Sequence, residues 1–433
     1  MVTKEDFINI ILPPSTMGTT SAIYIPPREA RKAAEHFRRI HGETPIVPLN
    51  EIEIDGVRLN ILGKLENVQS VYTFKARGAE WFVNNLMRQY HEGYGMFRKD
   101  RTKPSLVTAS AGNHAQGVAL AAKRYGLETI IFMPEGTSEV KVNRVCELGA
   151  TIRIEGKVFD QSLESALLYK QEGQSRIFIP PYENPLIMAG QAGVAVEILS
   201  KTCPYHSDYL RVANLDWKAP DVIIAGLGGG GLVSGIGSVI QEFNARTGKH
   251  VKVIGVQSEA ADSMYRSIRE GRYLPSTDMQ AKTCADGINV KQASPRMINT
   301  VRGYVYQVVK VSEEHIIQSI VYIAEHPSLI DQRWHTNEWL DASVPYRSLP
   351  GDAVQVHESR RMNRIEGAAA APFAAVFYGD LGRELDWKKI AGGKNELDVY
   401  CIFTGGNIPN ERWTDLRNQH RTVSADGNTI KKR

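Results

Sequence analysis

The sequence predicts an α/β fold with two open, mainly parallel α/β domains, and three observations support this. The chain has 433 residues, which is more than one hydrophobic core usually holds. From about residue 105, short β-branched runs alternate with amphipathic helical runs, a pattern typical of βαβ units. A second series of the same kind begins at "DVIIAG". Right-handed crossovers are expected to stack each series into its own sheet.

The elements follow in order along the chain. The first is a helix in "PREARKAAEHFRRIHG", which follows a double proline. The first series is predicted as the strands "SLVTA", "TIIFM", "TIRIE" and "RIFIP", with helices in "NHAQGVALAAKRYG", "SEVKVNRVCELGA", 159–173 and "PLIMAGQAGVAVEILSK". The second is predicted as the strands "DVIIAG", "VKVIGVQ", "VYQVVKV" and "DVYCIFT", with helices up to Gly248, from Ala261, from Glu313, and around Arg360 to Tyr378.

The domain organisation is expected to be discontinuous. Residues 1–77 and 189–433 are assigned to a large domain, and residues 78–188 to a smaller one inserted in it. The large domain would include an N-terminal extension at 1–40 and an insertion at 326–358. This insertion is rich in Pro, Trp, Asp and Ser and has no clear period. A loop of this length is usually functional or disordered.

Composition excludes several classes of function. The chain is 42% hydrophobic and 23% charged with a net charge of +4, so neither a nucleic acid nor a membrane is expected as a partner. The long apolar window "DVIIAGLGGGGLVSGIGSVI" contains seven glycines, which argues against a membrane span. Four cysteines without pairing or metal-ligand spacing, and an N-terminal apolar run too short for a signal peptide, favour a cytoplasmic protein.

A tetraglycine in "GLGGGGLVSG" follows a predicted strand and opens a helix. Glycines here let successive N–H groups and a helix N-terminus converge on an anion, usually a phosphate. The alternative is a close-packed structural turn. Because Gly226, Gly228 and Gly231 also match G-x-G-x-x-G, a dinucleotide site stays open; it needs an acid at the end of the next strand, where Gln257 stands.

Two further motifs lie at predicted strand ends. In "TASAGNHAQG", small and hydroxylated residues between a strand and a helix leave N–H groups that suit a carboxylate. The alternative makes Ser110 a helix N-cap. In "FTGGNIP", Thr404 ends a strand at the edge where open α/β sheets bind ligands. The alternative is a threonine that starts a glycine turn.

The stretch "SVYTFKARGA" places Lys75 among aromatic and small residues. Alone, this lysine would be interpreted as a solvated surface residue. In combination, a reactive lysine, a phosphate cradle, a carboxylate cradle and a lone hydroxyl are what pyridoxal phosphate and an amino acid together require.

Eight motifs carry a family resemblance, and they occur between about Thr44 and Pro409 in this order: "TPIVPLNEI", "TFKARGA", "TASAGNHAQGVA", "PPYENPLIMAGQAG", "GGGGLVSG", "CADGINV", "EGAAAA" and "TGGN". In that order they resemble the fold-type II pyridoxal-phosphate enzymes of the tryptophan synthase β-like superfamily, and within it the threonine (serine) dehydratases. The resemblance implies pyridoxal 5′-phosphate in the cleft between two α/β domains, and a homo-oligomer, expected to be a dimer.

The resemblance also implies residue roles. Lys75 matches the lysine that forms a Schiff base with the cofactor and takes the substrate's α-proton, and Phe74 matches the aromatic residue beside it. Asn113 matches the side chain that binds the cofactor's 3-oxygen, and Thr404 matches the partner of its pyridine nitrogen. The remaining matches are the phosphate loop, Gly228, Gly229, Gly230, Gly231 and Leu232; the substrate-carboxylate loop, Ser110, Ala111, Gly112 and His114; and the cofactor lining, Gly287 and Glu366.

The implied activity is β-elimination of L-threonine, L-serine or a related β-substituted amino acid to a 2-oxo acid and ammonia. Ala111 stands where racemase-like members carry a serine base, so efficient racemisation is not expected. Gln257 and Ser263 stand where two metal-binding acids occur in other members, so no metal is expected. The chain ends 24 residues after Pro409, which predicts no C-terminal regulatory domain.

Four alternatives stay open at this point. Two lie within the fold: a β-replacement synthase of the cysteine synthase type and a specialised amino-acid lyase of secondary metabolism. The other two are a dinucleotide-binding oxidoreductase and a catalytically silent binding protein.

Overall fold

The structure is a computed structural model that describes residues 20–94, 97, 102–173, 175–202, 218–325, 365–378, 385–408 and 414–415. The statements below concern these residues. The predicted insertion at 326–358 lies outside them, as do residues 1–19 of the predicted N-terminal extension.

The larger sheet has six strands, and all but one of their pairings are parallel. In chain order the strands are β1 (Ile46–Ile54), β2 (Val57–Leu65), β7 (Val222–Gly226), β8 (Lys252–Ser258), β9 (Gln307–Val311) and β10 (Glu396–Phe403). Their spatial order is β1-β2-β10-β7-β8-β9. Only β1 and β2 pair antiparallel, as a hairpin.

The smaller sheet is wholly parallel. Its strands are β3 (Ser105–Ala109), β4 (Thr129–Met133), β5 (Thr151–Ile154) and β6 (Arg176–Phe178). They lie in the order β5-β4-β3-β6. The central strand β4 is buried along its whole length, as expected for a parallel strand covered on both faces.

Helices connect and cover the strands. They are α1 (Pro27–His41), α2 (Lys75–Glu92), α3 (Asn113–Tyr125), α4 (Glu139–Glu147), α5 (Phe159–Gln171), α6 (Pro185–Gln191), α7 (Gly193–Thr202), α8 (Gly231–Thr247), α9 (Ser263–Glu270), α10 (Pro295–Tyr304), α11 (Glu313–Glu325), α12 (Gly367–Phe377) and α13 (Trp387–Ala391). Helix α2 packs against both α3 and α6. The ends of β3, β7 and β10 come just before the three predicted ligand motifs, which places those motifs at strand carboxyl ends.

The prediction of two mainly parallel α/β sheets is confirmed, and three local predictions need correction. The β1–β2 hairpin was not predicted, although its turn is Asp55-Gly56 with φ of 53° and 78°, the left-handed pair that a tight hairpin favours. The helix predicted over "PLIMAGQAGVAVEILSK" is two helices separated at Ala192, between two glycines that weaken helix propagation.

The third correction concerns the helix predicted around Arg360 to Tyr378. Within the described residues it begins only at Gly367, because Glu366 is extended (φ −83°, ψ 165°) and its main-chain N–H donates to the Gly405 carbonyl. The domain boundaries at residues 77 and 189 stay a prediction.

A buried ion cluster joins the start of α2 to the large sheet. Arg77 donates in a bidentate manner to Glu66, from Nε to Oε2 at 2.7 Å and from Nη2 to Oε1 at 2.9 Å. The same guanidinium reaches Glu197 at 2.6 and 2.9 Å. Lys64 Nζ donates to Glu197 Oε2 at 2.6 Å and to the Thr44 carbonyl at 2.7 Å. All four charged side chains are at most 1% exposed.

Replacing Arg77 by alanine should therefore be severely destabilising. The variant leaves two carboxylates buried with one ammonium, and breaking a buried ion network by removing one member costs about 3–5 kcal/mol. Arg88 lies on the same helix but is exposed, so Arg88→Ala should change stability by less than about 0.5 kcal/mol. Urea unfolding of both variants measures the difference, and equal effects would contradict the cluster's structural role.

Candidate active site

Lys75 is the first residue of α2 and is partly buried. Its Nζ donates to the Pro181 carbonyl at 2.9 Å and lies 5.3 Å from the centroid of the Phe74 ring. Burial lowers the pKa of the Lys75 ammonium to about 8, against the opposing effect of the Glu366 carboxylate. A substantial fraction of this lysine is therefore a neutral amine near pH 8, which is the form that attacks a carbonyl or accepts a proton.

The start of α2 is fastened to the end of β10. The Phe74 N–H donates to the Thr404 carbonyl at 3.1 Å, and Thr73 Oγ1 donates to the same oxygen at 3.2 Å. On the other side α3 approaches so closely that a Cβ on Gly117 would lie 2.9 Å from the Lys75 main-chain carbonyl. Lys75 and Thr404 therefore belong to one rigid junction.

The Thr404 side chain points into this junction without a partner. Thr404 is 3% exposed, and its Oγ1 has no hydrogen-bond partner within the described part of the chain. A buried hydroxyl normally finds a partner, because leaving it unpaired costs free energy. The unused donor fits the pyridine nitrogen of a bound cofactor, so this residue supports the predicted site.

The tetraglycine forms a tight turn that opens α8. Gly230 has φ of +89°, a left-handed conformation that side chains disfavour. A Cβ on Gly231 would lie 2.9 Å from Tyr182, and one on Gly229 would overlap the Tyr182 ring. Leu232 follows in the first turn of the 17-residue helix and is buried. Both explanations of the glycines are thus supported, since the loop packs closely and also presents a helix N-terminus to an anion.

The loop from Ser110 to His114 links β3 to α3. Ser110 Oγ accepts from the Gly112 N–H at 3.2 Å, and a Cβ on Gly112 would meet no atom within 4 Å, so space is open above it. His114 Nε2 is 3.1 Å from the Ile179 carbonyl and donates to it. Burial and the nearby Lys75 lower the pKa of His114 to about 3, so the ring is neutral. Helix geometry leaves the main-chain N–H groups of the first turn without intrahelical partners, beside the half-buried Ala111, and such groups suit a carboxylate.

A chain of amides ends on a buried carboxyl. Asn113 Nδ2 donates to Glu366 Oε1 at 2.7 Å, and Asn407 Nδ2 donates to Asn113 Oδ1 at 2.7 Å. Burial raises the pKa of Glu366 to about 7, although the Asn113 amide opposes this. An amide nitrogen has two hydrogens, so Asn113 can also donate to a ligand. Gly287 lies beside the same carboxyl, since a Cβ there would be 3.4 Å from Glu366 Oε1.

Contacts connect Lys75 to the Thr404 strand end, to helix α3 and to the glycine loop, and three further residues take part in this network. Pro181 and Tyr182 join Lys75 to the glycine loop, while Asn407 orients Asn113. All three lie inside motifs that the sequence displays, "PPYENP" and "TGGN". Their roles depend on a carbonyl direction, a ring position and an amide contact that a motif does not encode.

A partly buried lysine at a helix start, a glycine cradle and an orphaned hydroxyl at a strand end suit an enzyme that carries a phosphorylated aldehyde cofactor. Residues 37–330 match the family described as "Pyridoxal-phosphate dependent enzyme". The chain belongs to this family and is a pyridoxal 5′-phosphate-dependent enzyme.

Relatives of known activity are threonine ammonia-lyases and dehydratases. The chain is 35% identical to L-threonine ammonia-lyase of Geobacter sulfurreducens over 80% of this chain and 66% of that protein, and 35% identical to that of Thermotoga maritima over 62% and 58%. It is 29% identical to the catabolic L-threonine dehydratase of Staphylococcus aureus over 88% and 87%. The chain thus spans less than two thirds of the length of the two ammonia-lyases.

Solved structures share the fold. Processed threonine deaminase isoform 2 of Solanum lycopersicum matches with a TM-score of 0.66 at 23% identity, over 94% of this chain and 99% of that one. The L-serine ammonia-lyase of the fungus Rhizomucor miehei matches with a TM-score of 0.62 at 19% identity, over 88% and 99%.

Two features are absent from the described residues. No group of three or more His, Cys, Asp or Glu side chains in this part of the chain is placed to hold a metal ion. Among the same residues, no helix combines the length and the apolar character needed to cross a membrane.

The low pKa of Lys75 predicts a distinctive reactivity. In the cofactor-free protein, acylation of Lys75 by an anhydride should rise with pH to a midpoint near 8, whereas a free lysine side chain has its midpoint near about 10.4. Glu366→Gln should lower the midpoint further, because it removes the charge that favours the ammonium. Mass spectrometry of the Lys75 peptide measures both curves, and a midpoint near that of a free lysine would contradict the assigned environment.

Proposed function

We propose that the protein is an ammonia-lyase that removes the β-substituent of L-threonine, L-serine or a related β-substituted amino acid and releases a 2-oxo acid and ammonia. The observation that carries the proposal is that Lys75 adjoins both the strand end at Thr404, whose hydroxyl is unpartnered, and helix α3, which follows the 110–114 loop. The threonine ammonia-lyase relatives support the same reaction class.

Pyridoxal phosphate supplies the electron sink that makes the substrate's α-proton acidic. In this chain Lys75 would attach the cofactor and then act as the base. Its amine has a pKa near 8, so it is available for proton transfer at neutral pH, and the Pro181 carbonyl 2.9 Å away can orient it. Phe74 would limit water beside the amine.

The 110–114 loop would bind the substrate carboxylate. The N–H groups of the first turn of α3 and the helix dipole favour a negative charge there. The His114 side chain is neutral and already donates to Ile179, so its contribution would come from its main chain. Ala111 carries no group that can give a proton to the opposite face of the α-carbon, so the reaction should proceed without racemisation.

The remaining contacts would fix and tune the cofactor. Gly228 to Leu232 would bind the phosphate, and Asn113, held between Glu366 and Asn407, would bind the ring oxygen. Thr404 would bind the pyridine nitrogen as a neutral partner. Unlike a carboxylate, a hydroxyl does not hold that nitrogen protonated, which disfavours a long-lived carbanion and suits prompt loss of a β-leaving group. Gly287 lets its segment pack closely beside Glu366, since a Cβ there would lie 2.9 Å from Ala368 Cβ and 3.4 Å from Glu366 Oε1.

The homodimer, the cytoplasmic location and the division at residues 77 and 189 belong to the same proposal. They are supported by the resemblance to dehydratases and by the composition and cysteine usage of the sequence.

Thr404 provides a test of the cofactor site. Thr404→Val keeps the shape but removes the hydroxyl, and should weaken pyridoxal phosphate binding roughly tenfold, the effect of one lost buried hydrogen bond. Thr404→Ser keeps the hydroxyl and should bind with nearly unchanged affinity. Titration of the cofactor-free proteins by absorbance measures both, and equal affinities for Val and Ser would remove Thr404 from the site.

A substrate panel tests the reaction. Amino acids with β-hydroxy, β-amino and β-acyloxy groups should yield 2-oxo acid and ammonia, with L-threonine or L-serine among the substrates. Lys75→Ala should lower turnover by more than about a hundredfold, because it removes the base. Oxo acid and ammonia assays measure the outcome. A thiol product from O-acetylserine and sulfide, formed without oxo acid, would instead favour a β-replacement synthase.

A further inference from the structure

The side chain of Lys291 ends in a cage of main-chain oxygens outside the catalytic cleft. Its Nζ donates to the carbonyls of Ala260 and Ala281, the latter at 2.6 Å, and more weakly to that of Asp278 at 3.4 Å. Within the described residues its three acceptors are all main-chain carbonyl oxygens. A lysine ammonium has three N–H donors, so this cage satisfies all of them.

Such a cage has the chemistry of a site for a dehydrated monovalent cation. Neutral carbonyl oxygens replace the hydration shell of K⁺ in proteins, and an ammonium carries the same charge. The three oxygens come from two separate segments, because Ala260 follows β8 whereas Asp278 and Ala281 lie in the stretch after α9. The Lys291 carbonyl also accepts from the Ser276 N–H at 2.7 Å. One cation therefore holds three parts of the chain together.

The segment that ends at Lys291 forms the back of the tetraglycine loop. A Cβ on Gly228 would lie 3.1 Å from the Ile288 Cα, 3.2 Å from the Gly287 carbonyl and 3.5 Å from Val290 Cγ2. A shift of 287–290 would therefore reach the loop assigned to the cofactor phosphate. The ammonium fixes the far end of this segment.

Two polar side chains in this region are neutral and hydrogen-bond to the main chain, although Gln257 Nε2 has no partner within the described residues. Gln257 Oε1 accepts from the Tyr265 N–H at 2.8 Å. Ser263 Oγ donates to the Val290 carbonyl at 3.1 Å, beside Lys291. These are the two positions where acids would be needed for a divalent metal.

We propose that Lys291 is a tethered cation: its ammonium occupies a carbonyl-lined monovalent cation site and holds the backing of the phosphate loop in place. Removing the side chain exposes a site that accepts K⁺ or a small alkylammonium ion. The proposal does not depend on which amino acid is the substrate.

The test is rescue of Lys291→Ala by added cations. The holoenzyme is prepared in a buffer whose only cation is N-methylglucamine. There the variant should show a Tm lower by about 2–4 °C or more and cofactor binding weakened roughly tenfold. KCl, or propylammonium chloride, which replaces the deleted atoms, should restore both in a saturable way. Wild-type Tm should not depend on which cation is present.

Three controls make the result specific. Tetramethylammonium chloride has the same charge, but its four methyl groups keep the nitrogen away from the carbonyl oxygens, so it should give no rescue at equal ionic strength. Lys282→Ala removes an exposed lysine from the same segment and should behave as wild type. If Lys291→Ala does not fold, Lys291→Gln takes its place in the test. This variant keeps an N–H donor but not the charge, and its Tm should depend on K⁺ in the same way.

Two outcomes would overturn the proposal. Lys291→Ala could match Lys282→Ala in Tm and cofactor affinity, which would remove any role for the ammonium. Alternatively, both Lys291 variants could lose stability that neither K⁺ nor propylammonium restores, which would assign Lys291 a packing role. Because Tm is read without substrate, either outcome is distinct from a failure of the proposed lyase activity.

Discussion

The buried guanidinium of Arg77 is the constraint on which the position of Lys75 depends. Two residues before it, Lys75 begins the same helix, so the depth and rotation of that helix fix where the Lys75 amine lies. Arg77 donates hydrogen bonds to Glu66, just after the hairpin, and to Glu197 in α7. Each carboxylate has additional partners, and a fully satisfied network of this kind specifies one arrangement more strongly than apolar packing would.

Close backbone contacts complete the same junction. A Cβ on Gly190 would lie 2.6 Å from the Arg77 carbonyl, and a Cβ on Gly78 would lie 2.8 Å from the Ile187 carbonyl. Together with Gly117 on α3, these glycines let α3 and α6 approach α2 from two sides. The "TFKARGA" and "GQAG" motifs are therefore required for the close packing of these helices as well as for the chemistry proposed for Lys75. Substituting any of these glycines would displace Lys75 without touching a ligand.

The sequence could predict the two sheets and could indicate most of the candidate site, because both rest on local signals. Parallel strands show β-branched runs, and Lys75, Thr404 and the tetraglycine lie at the strand and helix ends where ligands bind. Other features depend on contacts between distant segments. Asn407 joins the candidate site by donating a hydrogen bond to Asn113, which lies 294 positions earlier in the chain. Pro181 contributes only a main-chain carbonyl, which accepts from Lys75. The β1–β2 hairpin had a local signal in Asp55-Gly56, flanked by the alternating runs "EIEI" and "VRLNI", but it precedes the βαβ series from which the sheets were predicted.

The charges of the structural cluster are balanced, and this protects the chemistry beside it. Arg77 lies two positions from Lys75, and an unpaired guanidinium there would lower the pKa of the amine further. Together with Lys64 and the two carboxylates, Arg77 forms a cluster whose net charge is zero. The pKa of Lys75 is therefore set by burial and by the Glu366 carboxylate. Burial acts in opposite directions on this pair, lowering the pKa of the lysine to about 8 and raising that of the carboxyl to about 7. Both groups therefore change protonation close to neutral pH, which suits the imine and base roles proposed for Lys75.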